Sequence, residues 1–237
     1  MNESTRRITL FGLLTALALV LGWMDRAIPL ASILGGTIPG IRLGLANTVV
    51  LCAVYLMDLP YAILLAGVKI VLSGFLFGSL SAMLYSLAGG ALSLAVMAAM
   101  KRRPRLALRV GEGLAAAGEI ALLAAHPRPA GTILAAMILT AAAIAGCEAL
   151  DWAIRKGILS GVAGTSVAGA VFHNVGQVLM AAAVLQTPRL LTAYLPLLAG
   201  IGAAVGLMTG IVTERTLRAL RIQAVFPTMH KDSKRGA

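Results

Sequence analysis

Long apolar runs separated by short basic clusters leave this chain one class of fold. Eight segments stand out: Ile8–Met24, Leu43–Met57, Leu59–Phe77, Ser79–Met100, Leu106–Ala125, Thr132–Leu150, Ile158–Leu185 and Tyr194–Val212. An α-helix needs about 20 apolar residues to cross the hydrocarbon core of a bilayer. The second segment falls short of that length, and the seventh is long enough to tilt strongly or to break. Hydrophobic residues are 59% of the chain and charged residues 12%, against about 45–50% and about 25% in soluble domains. A soluble fold of 237 residues has too little interior to hide so much apolar surface. The expectation is an all-α, polytopic transmembrane helix bundle, with residues 1–237 forming one integral membrane domain.

The net charge of +11 does not point to nucleic acid, because the basic residues form no continuous face. They gather in four clusters: Arg6 and Arg7; Lys101 to Arg109; Arg155 and Lys156; and Arg215 to Arg235. Cytoplasmic loops attract such an excess of Lys and Arg. With eight spans and the N-terminus inside, all four clusters face the cytoplasm. Both termini are then cytoplasmic, residues 215–237 form a basic tail, and the chain sits among lipid in the inner or plasma membrane. The N-terminal run lacks a small-residue cleavage site and reads as a retained first span. The weakest span is Leu106–Ala125, which holds Arg109, Glu112 and Glu119. Each charge near a helix centre costs about 2.5–3.5 kcal/mol, whereas a Leu or Ile returns about 0.3–0.6. Failure of this segment alone would turn the basic tail outward, so it inserts with Thr132–Leu150 as a hairpin or neither inserts: eight spans or six.

Between the first two spans, Ile28 to Leu45 contains Pro29, Gly35, Gly36, Pro39, Gly40 and Gly44. The stretch is too apolar for a solvated loop and too rich in helix breakers for a helix. Irregular backbone at membrane depth survives where it is buried in protein or lines a cavity, so a re-entrant or cavity-capping loop is expected. Small residues recur at Gly12–Ala16 and Ala18–Gly22, a spacing that permits close helix approach in lipid, either within the bundle or against a partner. Cys52 and Cys147 stand alone in apolar runs and indicate neither a disulfide framework nor a metal site.

Polar side chains inside a membrane are expensive and mark function by default. The densest group is His173, Asn174 and Gln177 in the seventh span. At 100° per residue, His173 and Gln177 lie 40° apart, and Ser166 falls on the same stripe. Beside them Gly169 and Gly176 leave room for a ligand or for a neighbouring helix. The alternative is interhelical hydrogen bonding, worth about 0.6 kcal/mol a pair. Arg42 and Asn47 enter the second span from the Gly/Pro stretch; Arg42 either snorkels to the interface or meets an anion with its bidentate fork. Lys69, deep in the third span, pairs with Asp58, snorkels, or faces a cavity. Ser81, Tyr85, Ser86, Ser93 and Gly89–Gly90 give the fourth span a polar, small face.

Catalytic signatures are missing. There is no GxxxxGK[ST] loop and no HExxH or GxSxG, and the nine acidic residues build no aspartate-rich diphosphate motif. No catalytic residue, metal or cofactor is expected. Binding and translocation are favoured over chemistry. A stand-alone carrier would need an ion-coupled carboxylate at the midplane, for which only Glu119 comes near.

Three stretches carry a resemblance: Ile38-Pro39-Gly40-Ile41-Arg42-Leu43-Gly44-Leu45-Ala46-Asn47, Ser86-Leu87-Ala88-Gly89-Gly90-Ala91-Leu92-Ser93, and the run from Gly164 to Gln177 that contains Phe172-His173-Asn174. In this order they resemble the Gx transporters, also labelled heptaprenyl diphosphate synthase component I, over about residues 5–100 and 157–215. That family is similar to the substrate-binding S components of energy-coupling factor transporters. The resemblance implies a six-helix core holding a small molecule, with His173, Asn174, Gln177, Ser166, Asn47 and Arg42 as the substrate-binding set. It also implies a transmembrane coupling subunit and ATPase subunits as partners, with Gly12, Ala16 and Ala18 as the docking surface. Residues 104–156 depart from the pattern as an inserted hairpin. The expected function is the substrate-binding membrane subunit of a small-molecule uptake transporter. The alternative is a non-catalytic membrane accessory of an isoprenoid synthase system, since prenyl transfer needs carboxylates to hold Mg²⁺ on a diphosphate.

Overall fold

A computed structural model describes residues 3–28, 44–77, 80–125, 130–187 and 189–222. Among them are eight helices and no strand: α1 (Glu3–Ala27), α2 (Asn47–Leu56), α3 (Leu59–Phe77), α4 (Leu80–Arg102), α5 (Pro104–Ala125), α6 (Ala130–Arg155), α7 (Gly161–Val184) and α8 (Arg189–Ile222). The Gly/Pro stretch from 29 to 43, with Arg42, lies outside the described residues, as does the tail beyond 222.

Five helices among the described residues are long and apolar enough to cross a membrane: Thr5–Ala27, Leu59–Leu76, Leu80–Arg102, Gly161–Val184 and Tyr194–Leu220. Their outer faces carry large apolar side chains, such as Phe75 at 84% and Ile8 at 72% exposure, which water would penalise and acyl chains accommodate. The chain is a membrane protein built as a helical bundle. Two expected spans change shape. The second is not a full span but the ten-residue α2, about 15 Å long at 1.5 Å per residue. Its entry is a turn at Gly44, whose φ of +84° is a left-handed value natural to glycine. The seventh neither breaks nor begins at Ile158: Ser160 caps it by accepting from the Ala163 N–H at 3.0 Å, and α7 then runs unbroken to Val184.

Backbone proximity sets the packing. Gly202, Gly206 and Gly210 of α8 face α7 so closely that an added Cβ would come within 2.7–2.8 Å of Asn174 Nδ2, Val167 Cα and Ala163 Cα respectively. Gly176 of α7 does the same against α4, where a Cβ would sit 2.8 Å from Ala88 O and Gly89 Cα. Close approach of this kind replaces the hydrophobic drive that lipid does not supply. Leu14, Ala18, Val49, Val50, Ala53 and Leu65 form an apolar core among α1, α2 and α3. The hairpin α5–α6 joins the bundle through Leu108, which packs with Met100 and Ala168.

The ends bearing basic clusters lie on one side. Arg7 at the start of α1 is 3.6 Å from Asp58 in the α2–α3 turn. Lys101 near the end of α4 donates to the Val54 carbonyl at 2.6 Å, satisfying an acceptor that the last turn of α2 leaves open. Tyr55 Oη meets Thr165 Oγ1 near the start of α7 at 3.0 Å. Arg109 of α5 bridges to Glu148 of α6 at 2.6 Å and to Glu112 at 2.9 Å, so the Arg109 charge that burdens α5 is matched both within the helix and across the hairpin. The Glu119 side chain is outside those described.

Candidate functional site

The polar centre of the bundle is assembled by α1, α2, α3, α4 and α7. Asp25, in the last turn of α1, is 4% exposed. One oxygen, Oδ2, accepts from the Gly44 N–H at 2.8 Å and the Leu45 N–H at 3.2 Å. The residue before α2, Ala46, offers no side-chain cap, and the carboxylate of another helix instead ties down the turn that enters it. At that turn Gly44 lies against His173: a Cβ there would meet the imidazole Cδ2 at 2.9 Å. Asn47, the first residue of α2, accepts from Lys69 Nζ at 3.1 Å and donates to Ser93 Oγ at 3.5 Å. Ser93 in turn donates to the Gly169 carbonyl at 2.8 Å. Lys69 and His173 sit near the midpoints of α3 and α7.

These groups surround a small cavity of about 30 Å³, lined among others by Asp25, Gly44, Lys69, Ser73, Ser86 and His173. That is room for a water or two, since one water needs roughly 10–15 Å³; a larger guest requires the walls to part. A carboxylate, an ammonium, an imidazole and two hydroxyls thus converge on one point. Ionised groups so placed are costly in a bilayer unless they pair or serve a ligand. Lys69 meets Asn47, and Asp58 pairs with Arg7, so the Lys69–Asp58 pairing considered from sequence is not found.

The expected shared face of α7 divides. His173 and Gln177 both turn toward Gly89 of α4, although Gln177 does not line the cavity. Asn174, fully buried, donates to the Leu198 carbonyl of α8 at 2.6 Å. It lies 100° around the helix from His173, and that rotation carries it to the opposite neighbour. Ser166 meets Thr209 of α8 at 3.1 Å, because its stripe runs along the seam between α4 and α8. Asn174 and Ser166 therefore join α7 to α8, apart from the polar cavity. Asn47 contacts Lys69 of the cavity wall without lining the cavity itself.

On α1, Gly12 has open space around it and Ala16 is exposed, whereas Ala18 is completely buried in the core. The reason is angular: Gly12 and Ala16 are 40° apart, and Ala18 lies 200° further round from Ala16. Ala18 does not belong to an outer surface. Two features escaped the sequence reading. Asp25 sits at the edge of an apolar run next to Arg26, where it passes for an interface residue. The Gly202–Gly206–Gly210 spacing on α8 was legible as a close-packing stripe and is stronger than that of α1. Among the described residues no group of three His, Cys, Asp or Glu is placed to hold a metal.

A family profile described as heptaprenyl diphosphate synthase component I matches residues 14–125 and 121–216. The two stretches meet at the end of α5 and together take in nearly all the described residues. No curated protein and no solved structure shows significant similarity. Both the matched length and the three spaced sequence runs it encloses place the chain: it belongs to the heptaprenyl diphosphate synthase component I family.

Proposed function

We propose that the chain is the substrate-binding membrane subunit of a small-molecule uptake transporter, energised by separate coupling and ATPase subunits. One observation carries the reading: charged and hydrogen-bonding side chains from α1, α3, α4 and α7 converge on one cavity inside the bundle, where burying an ammonium and an imidazole together costs more than helix packing returns. The coupling subunit would sit on the exposed Gly12 and Ala16 face of α1. Mass spectrometry of the protein purified in mild detergent should find a small polar molecule bound. His173→Leu should reduce its retention roughly tenfold, as expected when a ligand group loses its partner in a buried site. Equal retention by wild type and His173→Leu, at equal thermal stability, would sink the site.

A second reading follows from the family description: a membrane accessory of a heptaprenyl diphosphate synthase. The cavity favours it less, because a diphosphate entering beside Lys69 would also meet the Asp25 carboxylate. Copurification separates the two. ATPase subunits support the transporter, and a soluble prenyl synthase supports the accessory role.

The basic ends lie on one side of the bundle, and the positive-inside bias assigns that side to the cytoplasm. A reporter fused after Arg221 should therefore read as cytoplasmic. One near Pro127 should read as external if α5 and α6 cross as a hairpin. An external reading at Arg221 would overturn the orientation.

A further inference from the structure

We propose that the cleft between the first turns of α5 and the last turns of α6 is a headgroup site for an aminophospholipid, a lipid carrying a phosphate and a primary ammonium together. The cleft has a volume of about 180 Å³, far above the roughly 10–15 Å³ that admits one water. Its polar lining is balanced: Arg105, Arg109 and Arg155 against Glu112, Glu148 and Asp151. Arg109 is held by Glu112 and Glu148, and Arg155 by Asp151 at 2.9 Å. Arg105 makes no ion pair among the described residues. The cleft therefore offers a guanidinium to a phosphate, with carboxylates close by to receive an ammonium. Arg109 and Arg155 offset two of the three carboxylate charges, so with Arg105 given to the phosphate one negative charge is left, which an ammonium balances and an anionic headgroup without the amine does not.

A lipid is favoured over a soluble phosphate ester because of where the cleft opens. It begins where α4 ends at Arg102 and α5 starts at Pro104, beside the basic residues that mark a membrane interface. Around it Leu106, Val110 and Trp152 are 53%, 52% and 52% exposed. Apolar side chains there suit acyl chains continuing from a bound headgroup, and tryptophan is favoured at headgroup level. Such a lipid would brace the hairpin against the bundle.

The test uses the full chain in detergent, equilibrated with equal amounts of phosphatidylethanolamine, phosphatidylcholine and phosphatidylglycerol and read by native mass spectrometry. Phosphatidylethanolamine should be retained over both others. Arg105→Gln should reduce that retention about fivefold, the worth of one basic residue near a membrane surface, with unchanged melting temperature because Arg105 is exposed and makes no ion pair to lose. Equal retention of the anionic or the choline lipid would overturn the proposal, as would an unchanged lipid pattern in Arg105→Gln. Competition by glycerophosphoethanolamine as effective as that of the lipid would assign the cleft to a soluble ligand and equally overturn it.

Discussion

Asp25→Ala should lower the melting temperature of the detergent-purified protein by roughly 6–12 °C. The side chain accepts two backbone N–H groups at the turn into α2, and hydrogen bonds to a charged group are worth about 1.5–3 kcal/mol each. Removing it costs about 3 kcal/mol or more, at about 2–4 °C per kcal/mol for a chain of this size. The Gly44 and Leu45 donors would be left unpaired in a region where water is scarce. Because Gly44 lies against His173, release of the turn should also reduce ligand retention. Asp25→Asn keeps an acceptor in place and should lose much less stability. A differential scanning measurement on both variants is decisive: if Asp25→Ala melts with the wild type, the carboxylate does not hold the turn.

The largest packing effect is expected at Gly176. A methyl there meets Ala88 O and Gly89 Cα at 2.8 Å. These are backbone atoms of α4, so no flexible side chain can swing aside. Overpacking of this kind costs about 1–3 kcal/mol even for one added group, and Gly176→Val should leave little folded protein. Gly67→Ala is the matched control. Its Cβ would meet nothing within 4 Å on the lipid-facing side of α3, and alanine is the better helix former by up to about 1 kcal/mol. It should therefore be neutral or mildly stabilising. Folded yield and melting temperature of Gly176→Ala, which adds that one methyl, and of Gly67→Ala test the contrast, and equal behaviour would mean that α4 and α7 do not approach as closely as described.

The class of the protein was legible in the sequence because a bilayer imposes a one-dimensional rule: enough consecutive apolar residues, and basic residues between them on one side. That rule located α1, α3, α4, α7 and α8, and it identified Leu106–Ala125 as burdened by charge. It also drew attention to Lys69, His173 and Asn47, since a polar residue within an apolar run stands out without knowledge of its neighbours. What it could not supply was direction. His173 and Asn174 are adjacent in the chain, yet one faces the Gly44 turn and the other the Leu198 carbonyl. Ser166 shares a stripe with His173 and still bonds to α8, because helix crossing changes which neighbour a stripe meets along its length. Ala18 appeared equivalent to Gly12 and Ala16 until three-dimensional packing placed it in the core. Asp25 became a site residue only when α1 brought its carboxylate to the turn 19 residues later in the chain. Periodicity thus determined which residues enter the membrane, whereas the long-range contacts of α1, α4, α7 and α8 decided which polar groups meet, since a hydrogen bond depends on the position of two partners and the local pattern specifies one.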